Sequence, residues 1–482
     1  MTQSELVTPF TVGSVFDNRT LEEILREIQE VYGQDDRPWV LGFSGGKDST
    51  CTLQLVWKAI EGLPKAKRSK PIHVISSDTL VETPVIVNLI DSSLDRIRRT
   101  ASEQDLPITA SKVQPVIGET FWVNLIGRGY PAPYRNFRWC TDRMKIQPAD
   151  RFILEQVSKS GEVIVVLGVR RQESMTRAQV MSLARIKGSL LSRHRTLPST
   201  FVYTPIADFS TEDVWGYLLQ NPNPWGSNNR DLLTLYKSAN AGECPIVVDD
   251  TTPSCGNSRF GCWVCTVVSK DHAMEALVDG GERWMLPLLE FRNLLASTQD
   301  PTKKADFRQA KRRNGQMKLK TDGSPSLARG PYLFDFRREL LKKLLQAQKA
   351  VQANGPDKTI ELIRPAELEE IRRLWKRECG DWDDSVPSIY REVFGEDLDW
   401  LPEDLGAFSA DDAKLLHVAC ERHGVPPLLV ARLLDVEREV QGMAKRASVY
   451  INLSKVLREE WRTESNVLER LKSEAKSHED GK

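Results

Sequence analysis

The chain has 482 residues, 40% of them hydrophobic and 28% charged, and its 67 basic and 67 acidic side chains cancel at neutral pH. That length exceeds what one core usually serves, so two or three domains are expected. No run approaches the roughly 20 apolar residues that span a bilayer, and the start "MTQSELVTPFTVGSVFDN" lacks a basic stretch followed by an apolar one, so the expectation is a cytoplasmic protein with no membrane partner.

In chain order, the β-branched runs "PWVLGF" (38–43), "PIHVISS" (71–77), "PITASKVQPV" (107–116) and "EVIVVLGV" (162–169) predict strands. Between them Ser49 to Ile60 sets Leu53, Val56, Trp57 and Ile60 on one helical face, and residues 83–104 predict a longer helix with Pro84 in its first turn. Alternating strands and helices predict an α/β fold, a parallel sheet with helices on both faces. Such sheets bind ligands at the carboxyl ends of their strands. The loop "NPNPWGSNNRD" (221–231) marks a boundary; a cysteine-rich segment and then helical patterns follow almost to the end. The domains expected are 1–230, a cysteine-rich segment over 231–290, and a helical region over 291–482 for partner or DNA contact.

The first strand runs into Ser44-Gly45-Gly46-Lys47-Asp48-Ser49. A Walker A loop would need glycine where Leu41 stands and Ser or Thr where Asp48 stands, and a dinucleotide Gly-x-Gly-x-x-Gly is absent. What remains is a strand-to-helix turn whose backbone N–H groups can close on an anion at a helix N-terminus.

Cys51, Cys140, Cys379 and Cys420 are scattered, whereas Cys244, Cys255, Cys262 and Cys265 fall within 22 residues, which in a reducing compartment points to a metal or redox site. Cys262 and Cys265 form a chelating pair, Cys255 adds a third ligand, and Cys244 or Cys140 completes a set that suits zinc or a [4Fe-4S] cluster. Cys51 lies in the first turn of the helix after the glycines, where the dipole would lower its pKa, although packing as a small hydrophobe competes.

Charge is unevenly spread. Lys303–Lys320 holds eight basic residues against one acidic, and Asp381–Asp412 holds eleven acidic residues against one Arg. One block suits a polyanion and the other a basic partner, or both are solvated faces. From Arg128 to Lys145, Arg128, Arg135, Arg138, Arg143 and Lys145 interleave with Tyr130, Tyr134, Phe137 and Trp139. That mixture suits phosphates and stacked bases; the alternative is core aromatics beside a nucleotide clamp.

The hexapeptide SGGKDS, with "SSDTLVETP" (76–84), "RNFRWCTDRMKIQP" (135–148), "LGVRRQESMTR" (167–177) and "YTPIADFSTEDVWGYL" (203–218), resembles the PP-loop ATP pyrophosphatase superfamily in its phosphoadenylyl-sulfate reductase branch. The resemblance implies a sheet of the adenine nucleotide α-hydrolase-like type that binds ATP with Mg2+. It implies that Ser44, Gly45, Gly46, Lys47, Asp48 and Ser49 hold the pyrophosphate, that Asp78 and Thr79 lie near the nucleotide, and that Gly168, Arg170 and Arg171 close over the phosphates. Lys47, Arg170 and Arg171 would neutralise a departing pyrophosphate. Glu173 has either a site role or a surface ion pair.

Iron-sulfur members of that branch carry a Cys-Cys pair where this chain has Trp139-Cys140, which implies a [4Fe-4S] cluster on Cys140, Cys255, Cys262 and Cys265. Cys244 is then left as a sulfur carrier or an ordinary thiol. The segment "KRECGDW" (376–382) echoes the reductase motif at Cys379, but Asp381 and Trp382 follow it and the chain continues. With its long helical extension the chain resembles the DndC family, the PP-loop component of bacterial DNA phosphorothioation. That resemblance implies an ATP-dependent sulfurtransferase acting on the DNA backbone, with Lys47, Asp48, Arg170, Arg171 and Cys244 as catalytic set. Its partners would be DNA, a cysteine desulfurase and the subunits DndD and DndE. The alternatives are an adenylyl-sulfate reductase making sulfite and a non-catalytic ATP- and DNA-binding scaffold.

Overall fold

Each of the four apolar runs forms a strand: β1 (Trp39–Gly42), β2 (Ile72–Ser77), β3 (Ile108–Val113) and β4 (Val163–Val166). A computed structural model describes residues 13–173, 186–238, 261–320, 326–400, 410–439 and 447–479. Two further strands, β5 (Ser192–Arg193) and β6 (Thr200–Tyr203), were not marked in the sequence; the six form one sheet in the order β3-β2-β1-β4-β6-β5. Every pairing is parallel except β5 with β6. The fold is therefore α/β with a largely parallel mixed sheet.

β1 and β4 are buried at every residue, as strands covered on both faces must be, and this is why they read as unbroken apolar runs. Successive side chains point to opposite faces. Trp39, Leu41 and Phe43 join one core with Leu53, Val56, Trp57 and Val74, while Val40 joins Ile153, Val163 and Val165 in the other. The helices supplying these faces include α1 (Leu21–Gly33), α2 (Lys47–Glu61), α3 (Pro84–Glu103) and α4 (Gln147–Ser160). α1 starts at a reciprocal Thr20/Glu23 capping box, and α5 (Thr211–Gln220) starts at a second one built from Ser210 and Asp213.

The chain divides into two compact units: residues 1–115, 138–263 and 271–276, which hold the sheet, and residues 116–137, 264–270 and 277–482. Each unit is discontinuous in the chain. In the second unit the π-helical turn Val123–Gly127 is fully buried. Its carbonyls are claimed by buried side chains: Trp375 Nε1 donates to Ile126 O at 3.0 Å and Arg337 Nη1 to Gly127 O at 2.7 Å. Trp122 Nε1 donates in turn to Leu362 O at 2.6 Å. The rest of this unit is a helical C-terminal region, with α6 (Leu286–Ser297), α7 (Phe334–Asn354), α8 (Pro365–Cys379) and α9 (Ser385–Phe394) near its core.

The acidic 381–412 stretch is partly consumed inside this unit. Asp381 accepts from Ser385 N and Oγ, and Asp384 pairs with Arg372 at 2.6 Å and Lys376 at 3.0 Å. Residues 401–409 of the stretch lie outside the described residues. Among the described residues no helix is long and apolar enough to cross a membrane.

Candidate active site

β1 ends at Gly42, and the chain turns through Ser44–Gly46 into α2. Gly45 sits at φ +71°, in the left-handed region that glycine occupies without cost. Gly46 is the N-cap of α2 and offers no side-chain cap, so the first backbone N–H groups of the helix are left to other acceptors. The turn is tied by its serines. Ser44 N donates to Ser49 Oγ at 3.2 Å, Gly46 N to Ser44 Oγ at 3.3 Å, and Ser49 Oγ to Gly46 O at 3.0 Å.

Around this helix start the structure gathers three charged side chains. Lys47 is 2% exposed and its Nζ lies 3.0 Å from Asp48 Oδ2; Arg170 is 1% exposed and its Nε lies 2.7 Å from Asp48 Oδ1. Asp48 thus bridges two cations, which makes their burial tolerable. Arg170 also donates to Thr211 Oγ1 at 3.2 Å, and its Nη2 lies 3.9 Å from Glu173 Oε1, which gives Glu173 a buried ion-pair role beside the site. Gly168 follows β4 and packs directly on α2: a Cβ there would lie 2.8 Å from Asp48 O and 2.9 Å from Thr52 Oγ1. Glycine is needed here for close approach, not for its torsion angles.

Two residues that sequence reasoning did not single out join the group. Tyr236, from α10 (Asn229–Ser238), accepts from Lys47 N at 3.2 Å, and its ring lies 5.7 Å from Lys47 Nζ. Thr211 lay inside a quoted motif, whereas nothing local marks Tyr236. Arg171, expected over the phosphates, instead forms an exposed pair with Asp208.

Asp78 and Thr79 stand at the end of β2 in a second group. Asp78 Oδ1 accepts from Leu80 N and Oδ2 from Gln114 Nε2, both at 2.9 Å. Leu80 takes φ +65°, which turns the chain back so that Thr79 N reaches the Glu82 carboxylate at 3.1 Å. Thr79 Oγ1 lies 3.3 Å from Cys262 Sγ, Thr83 N donates to Gly261 O at 3.1 Å, and Trp263 N to Val81 O at 3.0 Å. These bonds lay the 261–263 segment along the end of β2. Burial pushes the Glu82 carboxyl above its usual range, against the opposing influence of Lys145.

Cys140 and Cys262 belong to the first unit and Cys265 to the second, while Cys244 and Cys255 lie outside the described residues. Cys265 is in a loop whose carbonyls are held by fully buried Arg292, which donates to Cys265 O at 3.0 Å, to Ser269 O at 2.9 Å and to Val268 O. Among the described residues no three His, Cys, Asp or Glu side chains are placed to share a metal ion. The thiol at Cys51 is fully buried, and burial, reinforced by Asp48, drives its pKa well above the ordinary value; the helix-dipole lowering expected from its position is overridden. Cys379 ends α8, accepts from Arg337 Nη2 at 2.7 Å, and is pushed up by burial despite that guanidinium. Trp139 is 7% exposed and packed, not a stacking surface.

Residues 38–268 match the model of the phosphoadenosine phosphosulfate reductase domain. The protein MJ0066 of Methanocaldococcus jannaschii is 28% identical over 238 residues, 49% of this chain and 38% of that protein. The nin region protein ORF290 of Escherichia phage lambda is 22% identical over 204 residues, 38% of this chain and 59% of that protein. The chain therefore spans less than two thirds of either relative. Phosphoadenylyl-sulfate reductase of Candida auris, solved with phosphate, is 18% identical over 46% of this chain and 87% of its own, with a TM-score of 0.28. Over residues 38–268 the chain is thus similar to the phosphoadenosine phosphosulfate reductase domain.

Proposed function

We propose that this domain binds ATP at the start of α2 and breaks its α–β phosphate bond to activate a DNA backbone phosphate for sulfur transfer. The observation that carries the nucleotide half is the uncapped helix start with Lys47, Asp48 and Arg170 assembled on it. A pyrophosphate leaving group would be met by helix N–H groups and by two cations already desolvated, an arrangement that stabilises charge as it develops. Both Asp48 oxygens are engaged by these cations and both Asp78 oxygens by hydrogen-bond donors, so Mg2+ would be held chiefly through the phosphates.

In this reading a non-bridging oxygen of the DNA phosphate attacks the ATP α-phosphorus and pyrophosphate departs. The terminal sulfur of a persulfide then attacks the DNA phosphorus and AMP leaves with the original oxygen. A thiol reductant finally cleaves the S–S bond and leaves sulfur on the backbone. Cys244 is the candidate carrier, charged by a cysteine desulfurase; DndD- and DndE-type subunits would present the DNA. The thiol donors Cys140, Cys255, Cys262 and Cys265 suit a [4Fe-4S] cluster in chemistry. An absorption band in the visible that bleaches on reduction tests it.

The family match taken alone favours a second reading, reduction of an adenylyl sulfate to sulfite. The thiol that this reaction would use at Cys379 is buried and pushed up in pKa, the opposite of what a nucleophile needs. Mass spectrometry of cellular DNA decides between them. Phosphorothioate-linked dinucleotides that vanish with Lys47→Ala or Cys262→Ser support sulfur transfer to DNA. Unchanged DNA sulfur together with sulfite formation by the purified protein establishes the reductase instead.

A further inference from the structure

A cavity of about 820 Å3 opens on the second unit, lined by Tyr130, Tyr134 and Phe137 together with Lys304, Arg308, Arg312, Lys318 and Lys320; among the described residues no Asp or Glu lines it. Tyr134 and Phe137 face each other across a tight turn closed by two backbone hydrogen bonds of 3.2 and 2.8 Å. Their rings lie 5.7 Å apart at 38°, and each residue is 38% exposed. The Arg313 guanidinium lies 4.8 Å from the Tyr130 ring centre and Lys304 Nζ lies 6.0 Å from that of Tyr134, so cations and π-faces alternate along the groove.

The basic wall is built as a short ladder. Leu319 bridges Leu327, Lys320 N donates to Ser326 O and Ala328 N to Lys318 O. Lys318 and Lys320 flank Leu319, and all three line the cavity. Among the described residues no carboxylate pairs with Lys304, Arg312, Lys318 or Lys320. The Lys304 pKa is lowered, by burial first and then by Arg308 and Lys320, as expected where like charges are crowded without a counter-ion.

We propose that this groove binds single-stranded nucleic acid, with bases stacked on Tyr134 and Phe137 and successive backbone phosphates on Lys304, Arg312, Lys318 and Lys320. Exposed ring faces engage unstacked bases, which a duplex does not offer, and four cations without acidic partners among the described residues exceed the demand of a single mononucleotide. The inference deepens the acceptor reading above and rests on it only for the role of the strand: the DNA would be engaged where its strands are parted.

The test uses the full chain and a fluorescein-labelled dT12 oligonucleotide, read by anisotropy between 50 and 200 mM salt with no ATP present. Tyr134→Ala and Phe137→Ala are expected to weaken Kd about ten-fold each, and Tyr134→Trp to retain binding. Lys318→Gln with Lys320→Gln should reduce the slope of log Kd against log salt by about 1.4, about 0.7 for each phosphate no longer neutralised. Ring variants that bind like the parent chain, or tighter binding of a 12-base-pair duplex than of the single strand, would overturn the proposal. Since no nucleotide or sulfur donor is present, failure here leaves the activation chemistry standing. Intact strand binding without DNA sulfur would instead count against that chemistry alone.

Discussion

Replacing Gly168 by alanine sets two effects of opposite sign against each other. Gly168 does not occupy the left-handed region, so a methyl group would by itself restrict the unfolded chain and stabilise the fold by about 0.4–1 kcal/mol. The added Cβ, however, would lie 2.8 Å from Asp48 O and 2.9 Å from both Asp48 C and Thr52 Oγ1. Two of these three atoms are backbone, so relief requires the first turn of α2 to move by several tenths of an ångström, and overpacking of this kind costs about 1–3 kcal/mol. The net expectation is a loss of about 1–2 kcal/mol, with the turn that carries Lys47 and Asp48 displaced. Urea unfolding followed by tryptophan fluorescence, with and without ATP at one hundred times Kd, reads both consequences. The parent chain should gain about 2.7 kcal/mol from the nucleotide. G168A should start lower and lose most of that gain. A raised midpoint with an undiminished ATP shift would refute the close approach of Gly168 to α2, and with it the placement of the loop over the site.

Asp48→Ala leaves Lys47 and Arg170 buried side by side without their shared carboxylate. Stability should fall by about 3–5 kcal/mol, and pyrophosphate release from ATP should stop; denaturation and a pyrophosphate assay check each part. Arg292→Met strands the carbonyls of Cys265, Val268 and Ser269, at about 1 kcal/mol or more each, and should expose Trp263–Ser269 to faster amide hydrogen exchange. Burial alone would raise the Asp213 carboxyl, but hydrogen bonds from Ser14 and from the Ser210 and Val15 N–H groups outweigh it and hold the pKa below the ordinary carboxylate range. A depressed folded-state pKa contributes stability that is present above the unfolded value and lost as pH falls through the folded one. Asp213→Asn should therefore flatten the acid limb of the stability profile below about pH 4 and leave its slope near neutrality unchanged.

What was legible in the sequence was local. Four of the six strands, the α2 and α3 helices and the glycine turn could be read because β-branched apolar runs, period-3.6 burial, Pro84 and the Gly45-Gly46 pair act within a few residues. β5 has only two residues and β6 is half-exposed at its centre, so neither gives an unbroken apolar run like β1 or β4; they are strands through pairing with each other and with β4. Two separate sequence stretches named Lys47 and Asp48, and Arg170, but only tertiary structure joins residues 48 and 170 and brings Tyr236 onto Lys47. Position along a helix predicted a lowered Cys51 pKa, and complete burial reversed the sign, since desolvation of a thiolate outweighs a helix dipole. The aromatic residues of 130–139 and the basic block of 303–320 stood in the sequence as two separate hints. Folding sent Trp139 into a core and set Tyr134 and Phe137 in one groove with Lys304 and Lys320. Composition and spacing determine which residues are present and how each short stretch folds; which of them face one another depends on packing between segments far apart in the chain, and no local pattern encodes that.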